Sequence, residues 1–151
     1  MAISGETWDR ERFASYIQRN LDWFKYKNGF ALDLEATAEF TRSELAYAIR
    51  NGPFSVNLLI GGYDHAQEKA RMFWLDYMGT LQEVKKGGHG YAGYFTSSVL
   101  DNDYKKDMTL EEGIECIKKC ISEMKTRFLI SQPAYVVKIV TKDGTQVETI
   151  E

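Results

Sequence analysis

The chain has 151 residues, of which 44% are hydrophobic and 27% charged, with a formal net charge of −3. That length suits one domain with a sizeable core. The charge balance, without a basic block, points away from nucleic acid. No apolar run approaches the ~18 residues of a membrane span, so no membrane partner is expected, and the opening Met1-Ala2-Ile3-Ser4-Gly5 is too short and polar for a signal peptide.

The first helix is expected over 8–27. Thr7 is its candidate cap, Asp9 and Glu11 suit its N-terminal end, and Phe13, Ile17, Leu21 and Phe24 form one apolar stripe. Lys25 and Lys27 suit its C-terminal end, and Asn28-Gly29 is a left-handed stop. A second helix is expected over 34–50, with Asp33 as cap and Ala38, Leu45, Ala48 and Ile49 facing inward. Asn51-Gly52-Pro53 ends it.

Residues 54–61 form a continuous apolar run that reads as a strand buried on both faces. After a polar connection over 64–70, Met72, Phe73, Trp74, Leu75 and Tyr77 crowd around Asp76, and this aromatic density favours a strand. Gly79-Thr80 breaks the run, and 81–84 can return as a short antiparallel strand. A third helix is expected to begin at 92 or 93, carrying Phe95, Val99 and Leu100. Thr109-Leu110-Glu111-Glu112 is a capping box that opens a fourth helix. Ile114, Ile117, Ile121, Met124 and Phe128 form a regular stripe along it, fit for packing on one other helix. Lys142-Asp143-Gly144-Thr145 between two alternating runs signals a closing hairpin. The order helix, helix, three strands, helix, helix, hairpin argues for α+β with antiparallel strands.

Gly88-His89-Gly90-Tyr91-Ala92-Gly93 matches G-x-G-x-x-G. A dinucleotide site would also need a following parallel strand ending in an acid, whereas a helix is expected next. Gly88, Gly90 and Gly93 therefore read as a tight strand-to-helix turn with close backbone packing, and His89 as a turn residue rather than a general base. No cofactor is expected. Asp64 and Asp76 read as structural hydrogen-bonding groups. Cys116 and Cys120 could be a metal or redox pair, but four residues apart in a helix they read as small core residues. His65 and His89 are not at metal-ligand spacing.

The stretches Asn57-Leu58-Leu59-Ile60-Gly61-Gly62-Tyr63-Asp64 and Gly88-His89-Gly90-Tyr91 resemble the proteasome beta subunits. So do Leu75-Asp76-Tyr77, Leu100-Asp101, Met108-Thr109-Leu110-Glu111-Glu112-Gly113, Lys142-Asp143-Gly144, Phe13-Ala14-Ser15-Tyr16-Ile17-Gln18, Asn28-Gly29 and Phe40-Thr41-Arg42. The resemblance spans essentially the whole chain and is greatest to the fourth beta type, also called beta type-2, a non-catalytic member in eukaryotes. It implies a four-layer α-β-β-α sandwich of the N-terminal-nucleophile hydrolase kind as one domain over 1–151. It implies partnership with other beta and with alpha subunits in the 20S core particle, ubiquitin-dependent protein degradation, and residence in cytoplasm and nucleus.

The chain departs from the family pattern in places that bear on chemistry. Family members carry two strand pairs before the first helix, and the match begins near the last of those strands, at residues 2–6. The N-terminal threonine of active members, with its supporting aspartate and lysine, has no counterpart. His89 stands where active members carry a serine, and Phe128-Leu129-Ile130-Ser131-Gln132-Pro133 lacks their Asp-x-x-Ser-Gly. The resemblance thus implies a structural subunit with no catalytic residue and no metal. The alternatives are an active threonine endopeptidase subunit and a free-standing helical module using the fourth-helix stripe. With the first strand pairs lacking, the strand at 54–61 is expected to lie at an open sheet edge. The inner face carrying Val136, Ile139 and Val140 is expected to lose partners, so that the isolated chain oligomerises or aggregates.

Overall fold

A computed structural model of the chain describes residues 1–130 and 132–150. It divides into two compact units, Met1–Lys85 and Lys86–Glu151.

The first unit opens with strand β1 (Ala2–Gly5) and helix α1 (Thr7–Asn28). The cap of α1 is Glu6, not Thr7: the Glu6 carboxylate accepts the Asp9 N–H at 3.1 Å. Glu6 remains extended because its own N–H continues the β1 ladder onto Ser55 O at 3.0 Å. Thr7 is already helical, and its hydroxyl accepts from Arg10. Helix α2 (Leu34–Ala48) is capped by Asp33, whose side chain accepts the Ala36 N–H at 2.7 Å. Its buried line is Ala38, Thr41, Leu45 and Ala48. Thr41 takes a place there because its hydroxyl donates to Thr37 O at 2.7 Å, which leaves no donor unpaired in the core. Ile49, expected inside, is 42% exposed. The helix ends at Ala48, and Ile49 lies at the rim of the line set by the other four.

Strands β2 (Val56–Asp64), β3 (Lys69–Leu75) and β4 (Leu81–Glu83) follow. The sheet order is β1-β2-β3-β4 with antiparallel pairs throughout. Registers Leu58↔Leu75, Ile60↔Phe73 and Leu75↔Leu81 set these side chains on one face. There Val56, Leu58, Ile60, Phe73 and Leu75 meet Phe13 and Ile17 of α1 and Ala38 and Leu45 of α2 in one buried cluster.

Two expectations are corrected here. Strand β2 is not buried on both faces: Val56, Leu58 and Ile60 are buried, while Asn57 and Leu59 between them are half-buried. The run over 54–61 looked continuous because the second face also carries apolar groups, with Leu59 opposite Trp74. Nor is β2 an edge. It pairs with β1 on one side and β3 on the other, and the edges are β1 and β4.

The second unit comprises helices α3 (Gly90–Asp103) and α4 (Leu110–Arg127) and strands β5 (Tyr135–Thr141) and β6 (Gly144–Ile150). The capping box is complete: Thr109 accepts from Glu112 N–H, and Glu112 accepts from Thr109 N–H at 2.8 Å. Phe128, just past α4, stacks near Tyr91 and Phe95 of α3 at centroid distances of 5.3 and 5.8 Å. The buried face of α4 is centred on Cys116, Cys120 and Ile121, while Ile117 is 39% exposed. The expected stripe is thus rotated toward the two cysteines, whose small side chains suit close approach.

β5 and β6 pair antiparallel from Tyr135↔Ile150 to Thr141↔Gly144. The grouping of Val136 with Ile139 on one inner face does not hold. With a period of two, Ile139 shares a face with Tyr135 and Val137. Ile139 is buried, whereas Val136 is 66% exposed.

One-sided burial of β2 has a measurable consequence. Leu58→Ala should lower unfolding stability by roughly 3 kcal/mol and Leu59→Ala by about half that or less. Urea denaturation of the two variants checks this, and equal losses would restore a strand enclosed on both faces.

Candidate functional site

The densest polar constellation in the first unit is built around Arg71. Inward-facing positions on β3 alternate, so Arg71 lies on the same side as Phe73 and Leu75. Its side chain is 6% exposed. Asp64, at the end of β2, approaches its guanidinium at 3.1 Å, Glu35 in the first turn of α2 at 2.9 Å and Glu83 on β4 at 2.8 Å. The Glu83 contact is a two-pronged fork, with Nε to one carboxylate oxygen at 3.2 Å and Nη2 to the other. The guanidinium also stands 5.0 Å from the Phe73 ring centre.

These contacts tune the acids. The Gln67 N–H, followed by Arg71, holds the Asp64 carboxyl below its ordinary range. Hydrogen bonding from Arg71 does the same for Glu83. Glu83 and Glu35 in turn hold the Arg71 proton more firmly. Three acids share one cation, a clamp that neutralises the guanidinium and ties α2, β2, β3 and β4 together. Asp64 and Glu83, both held low, are not poised as general acids at neutral pH. Asp64 has a second task, accepting the Ala66 and Gln67 N–H groups at 3.0 Å to shape the β2–β3 turn. Asp76 does the same for the β3–β4 turn through Met78 and Thr80.

The glycine loop lies in the second unit. His89 is the extended residue preceding α3, and its carbonyl accepts the Gly93 N–H at 3.3 Å. Gly90 has φ +64, a left-handed conformation that side chains strain to adopt. A Cβ on Gly93 would stand 2.9 Å from Gly88 O, and one on Gly88 would stand 3.0 Å from Gly93 Cα. Gly88, His89, Gly90 and Gly93 are thus brought together by backbone contact. α3 leads to α4 rather than to a strand, and the described strand pairs are all antiparallel. The remaining requirement for a dinucleotide site is therefore missing among the described residues. Lys86 bridges to Asp101 at 2.6 Å and to Leu100 O at 3.0 Å, which ties the loop to the far end of α3.

Cys116 and Cys120 are both buried thiols. Burial pushes the Cys120 thiol up to about 11, away from the reactive thiolate form. Among the described residues no group of three or more His, Cys, Asp or Glu is placed to hold a metal. No described helix is long and apolar enough to cross a membrane. In the segment 128–133, Ser131 lies outside the described residues.

The Arg71 clamp was not foreseen in the sequence. Its signal was an arginine at an inward position of an alternating strand, which demands buried acids. Two of those acids, Asp64 and Glu83, sit on the adjoining strands.

The comparisons with known proteins agree with this architecture. A model of the proteasome subunit family matches residues 1–140. The chain is 45% identical over 146 residues to proteasome subunit beta type-2-A of Arabidopsis thaliana, covering 97% of this chain and 71% of that protein. It is 42% identical over 145 residues to proteasome subunit beta type-4 of Saccharomyces cerevisiae, covering 95% and 73%. It is 40% identical over 146 residues to proteasome subunit beta type-2 of Oryza sativa subsp. japonica, covering 97% and 68%. The chain belongs to the proteasome subunit family. Within it, the relatives are beta subunits, of the N-terminal-nucleophile hydrolase fold with mixed helices and antiparallel sheets.

Two experiments probe the clamp and the loop. The depressed acids Asp64 and Glu83 contribute stability that is full above their unfolded values near pH ~4 and is lost as pH falls through the folded values. Arg71→Met should therefore lower the urea midpoint clearly at pH 7, with the gap to the parent protein narrowing at pH 3. In the loop, Gly93→Ala should destabilise by roughly 1–3 kcal/mol through the clash with Gly88. Gly113→Ala, in open space on α4, should stabilise by roughly 0.4–1 kcal/mol. Thermal melts of both variants compare the two positions directly.

Proposed function

We propose that this chain is a non-catalytic, structural subunit of the beta ring of the 20S proteasome core. In this reading it holds neighbouring beta and alpha subunits in place and helps wall the chamber for ubiquitin-dependent protein degradation, in cytoplasm and nucleus. The observation that carries the proposal is the similarity to beta type-2 and beta type-4 subunits along 95–97% of the chain. On this reading residues 1–151 form one proteasome-type domain, and the two units contribute to the four-layer α-β-β-α sandwich of the family.

The non-catalytic part rests on what the reactive side chains are doing. A threonine nucleophile needs a base beside it. The Thr41 and Thr96 hydroxyls are buried and donate within their own helices, to Thr37 O and Ala92 O at 2.7 Å. Thr7 is internal, in the first turn of α1. The acids best placed to serve as bases are committed to Arg71. His89 occupies the position of the serine of active members, as the resemblance aligns them.

Co-expression with a full set of proteasome subunits should bring the chain into a ring-sized particle on a sizing column. Intact-mass analysis of that particle after epoxyketone treatment should show no adduct on this chain. A stoichiometric adduct would establish the threonine endopeptidase reading, and a chain that remains monomeric beside assembled rings would establish the free-standing module.

A further inference from the structure

The sequence contains two Asn-Gly steps, Asn28-Gly29 at the last residue of α1 and Asn51-Gly52 just past the end of α2. Their surroundings match closely. Both asparagines are exposed, and each side-chain amide donates to the carbonyl four residues back: Asn28 to Phe24 O at 2.9 Å, Asn51 to Tyr47 O at 3.0 Å. The glycine nitrogens differ. The Gly29 N–H donates to Lys25 O at 2.9 Å and closes α1. The Gly52 N–H meets no acceptor among the described residues, and the space where a Cβ would stand at Gly52 is open.

We propose that Asn51 is a site of spontaneous deamidation and that the fold withholds the same reaction from Asn28. The Gly52 nitrogen loses its proton to solvent base and attacks Asn51 Cγ. A C–N bond forms, and the side-chain nitrogen leaves as ammonia, carrying the proton that balances the charge. The resulting five-membered imide is opened by water at either carbonyl, giving aspartate or isoaspartate. No oxidant or further reactant is required. Both side-chain amides must leave their carbonyls, but at Gly29 the attacking nitrogen must also give up its bond to Lys25 O and fray the end of α1, whereas the Gly52 nitrogen has no such bond to break.

The product matters for the fold. A carboxylate at residue 51 cannot donate to Tyr47 O, and it places negative charge at the C-terminal end of α2, where the helix dipole disfavours it. An isoaspartate would also lengthen the backbone between α2 and β2, just before Pro53. The reaction would therefore mark older copies of the chain at one defined turn.

The test is incubation of the full chain at mildly alkaline pH, folded and in urea, followed by digestion after glutamate. This places the two steps on separate peptides, and mass spectrometry follows the amide-to-acid change at each. In the folded protein Asn51 should convert about tenfold faster than Asn28, the protection one backbone hydrogen bond provides, and in urea the two rates should converge. Equal rates in the folded protein, or an Asn51 that converts only in urea, would overturn the proposal.

Discussion

A guanidinium on the inward face of a sheet is the constraint around which the first unit is arranged. β3 alternates Arg71, Phe73 and Leu75 toward α1 and α2, so the sheet cannot close on its helices without also taking Arg71 out of water. An unpaired buried charge would be prohibitive. The acids that resolve this come from three elements: the first turn of α2, the end of β2 and β4. Their positions fix where α2 begins relative to the sheet and hold the three-residue strand β4 in place. The apolar cluster supplies the burial, and the clamp sets the alignment.

The second unit follows a different logic. Its buried apolar set among the described residues is small, Cys116, Cys120, Ile121 and Ile139, and local devices define its elements: a full capping box at Thr109, the Phe128 ring against Tyr91 and Phe95, and the Asp143-Gly144 turn between β5 and β6. A two-stranded hairpin by itself is marginal in water, and β6 is exposed along nearly its whole length. Such an element suits a protein that assembles with others, as members of the proteasome subunit family do under the function proposed here.

Where sequence and structure part company, backbone partners explain the difference. Thr7 has the chemistry of a cap, yet Glu6 takes the role because β1 extends one residue toward the helix and holds Glu6 through Ser55. Ile49 continues the apolar pattern of α2, yet the helix stops at Ala48. Ile117 belongs to the most regular stripe in the chain, yet it is exposed, while Ile121 of that stripe is buried with Cys116 and Cys120, the two cysteines read as core residues. Each of these turns on a shift of one residue or a fraction of a helical turn, which periodicity cannot resolve.

The element order from α1 onward, the Asp33 cap, the Thr109 capping box, the closing hairpin and the family were legible in the sequence, because each is written in local chemistry or in motifs of fixed order; β1 was legible only through the family resemblance. The sequence also marked Gly88, His89, Gly90 and Gly93 as a unit, since glycine spacing around a helix start is a local pattern. Packing alone settled that β2 lies inside its sheet with β1 beside it, and that one of its faces is more deeply covered than the other. Only the tertiary structure gathered Glu35, Asp64 and Glu83 on Arg71. Strand neighbours and ion-pair partners lie far apart along the chain, and no local propensity records which of them the packed sheet will bring together.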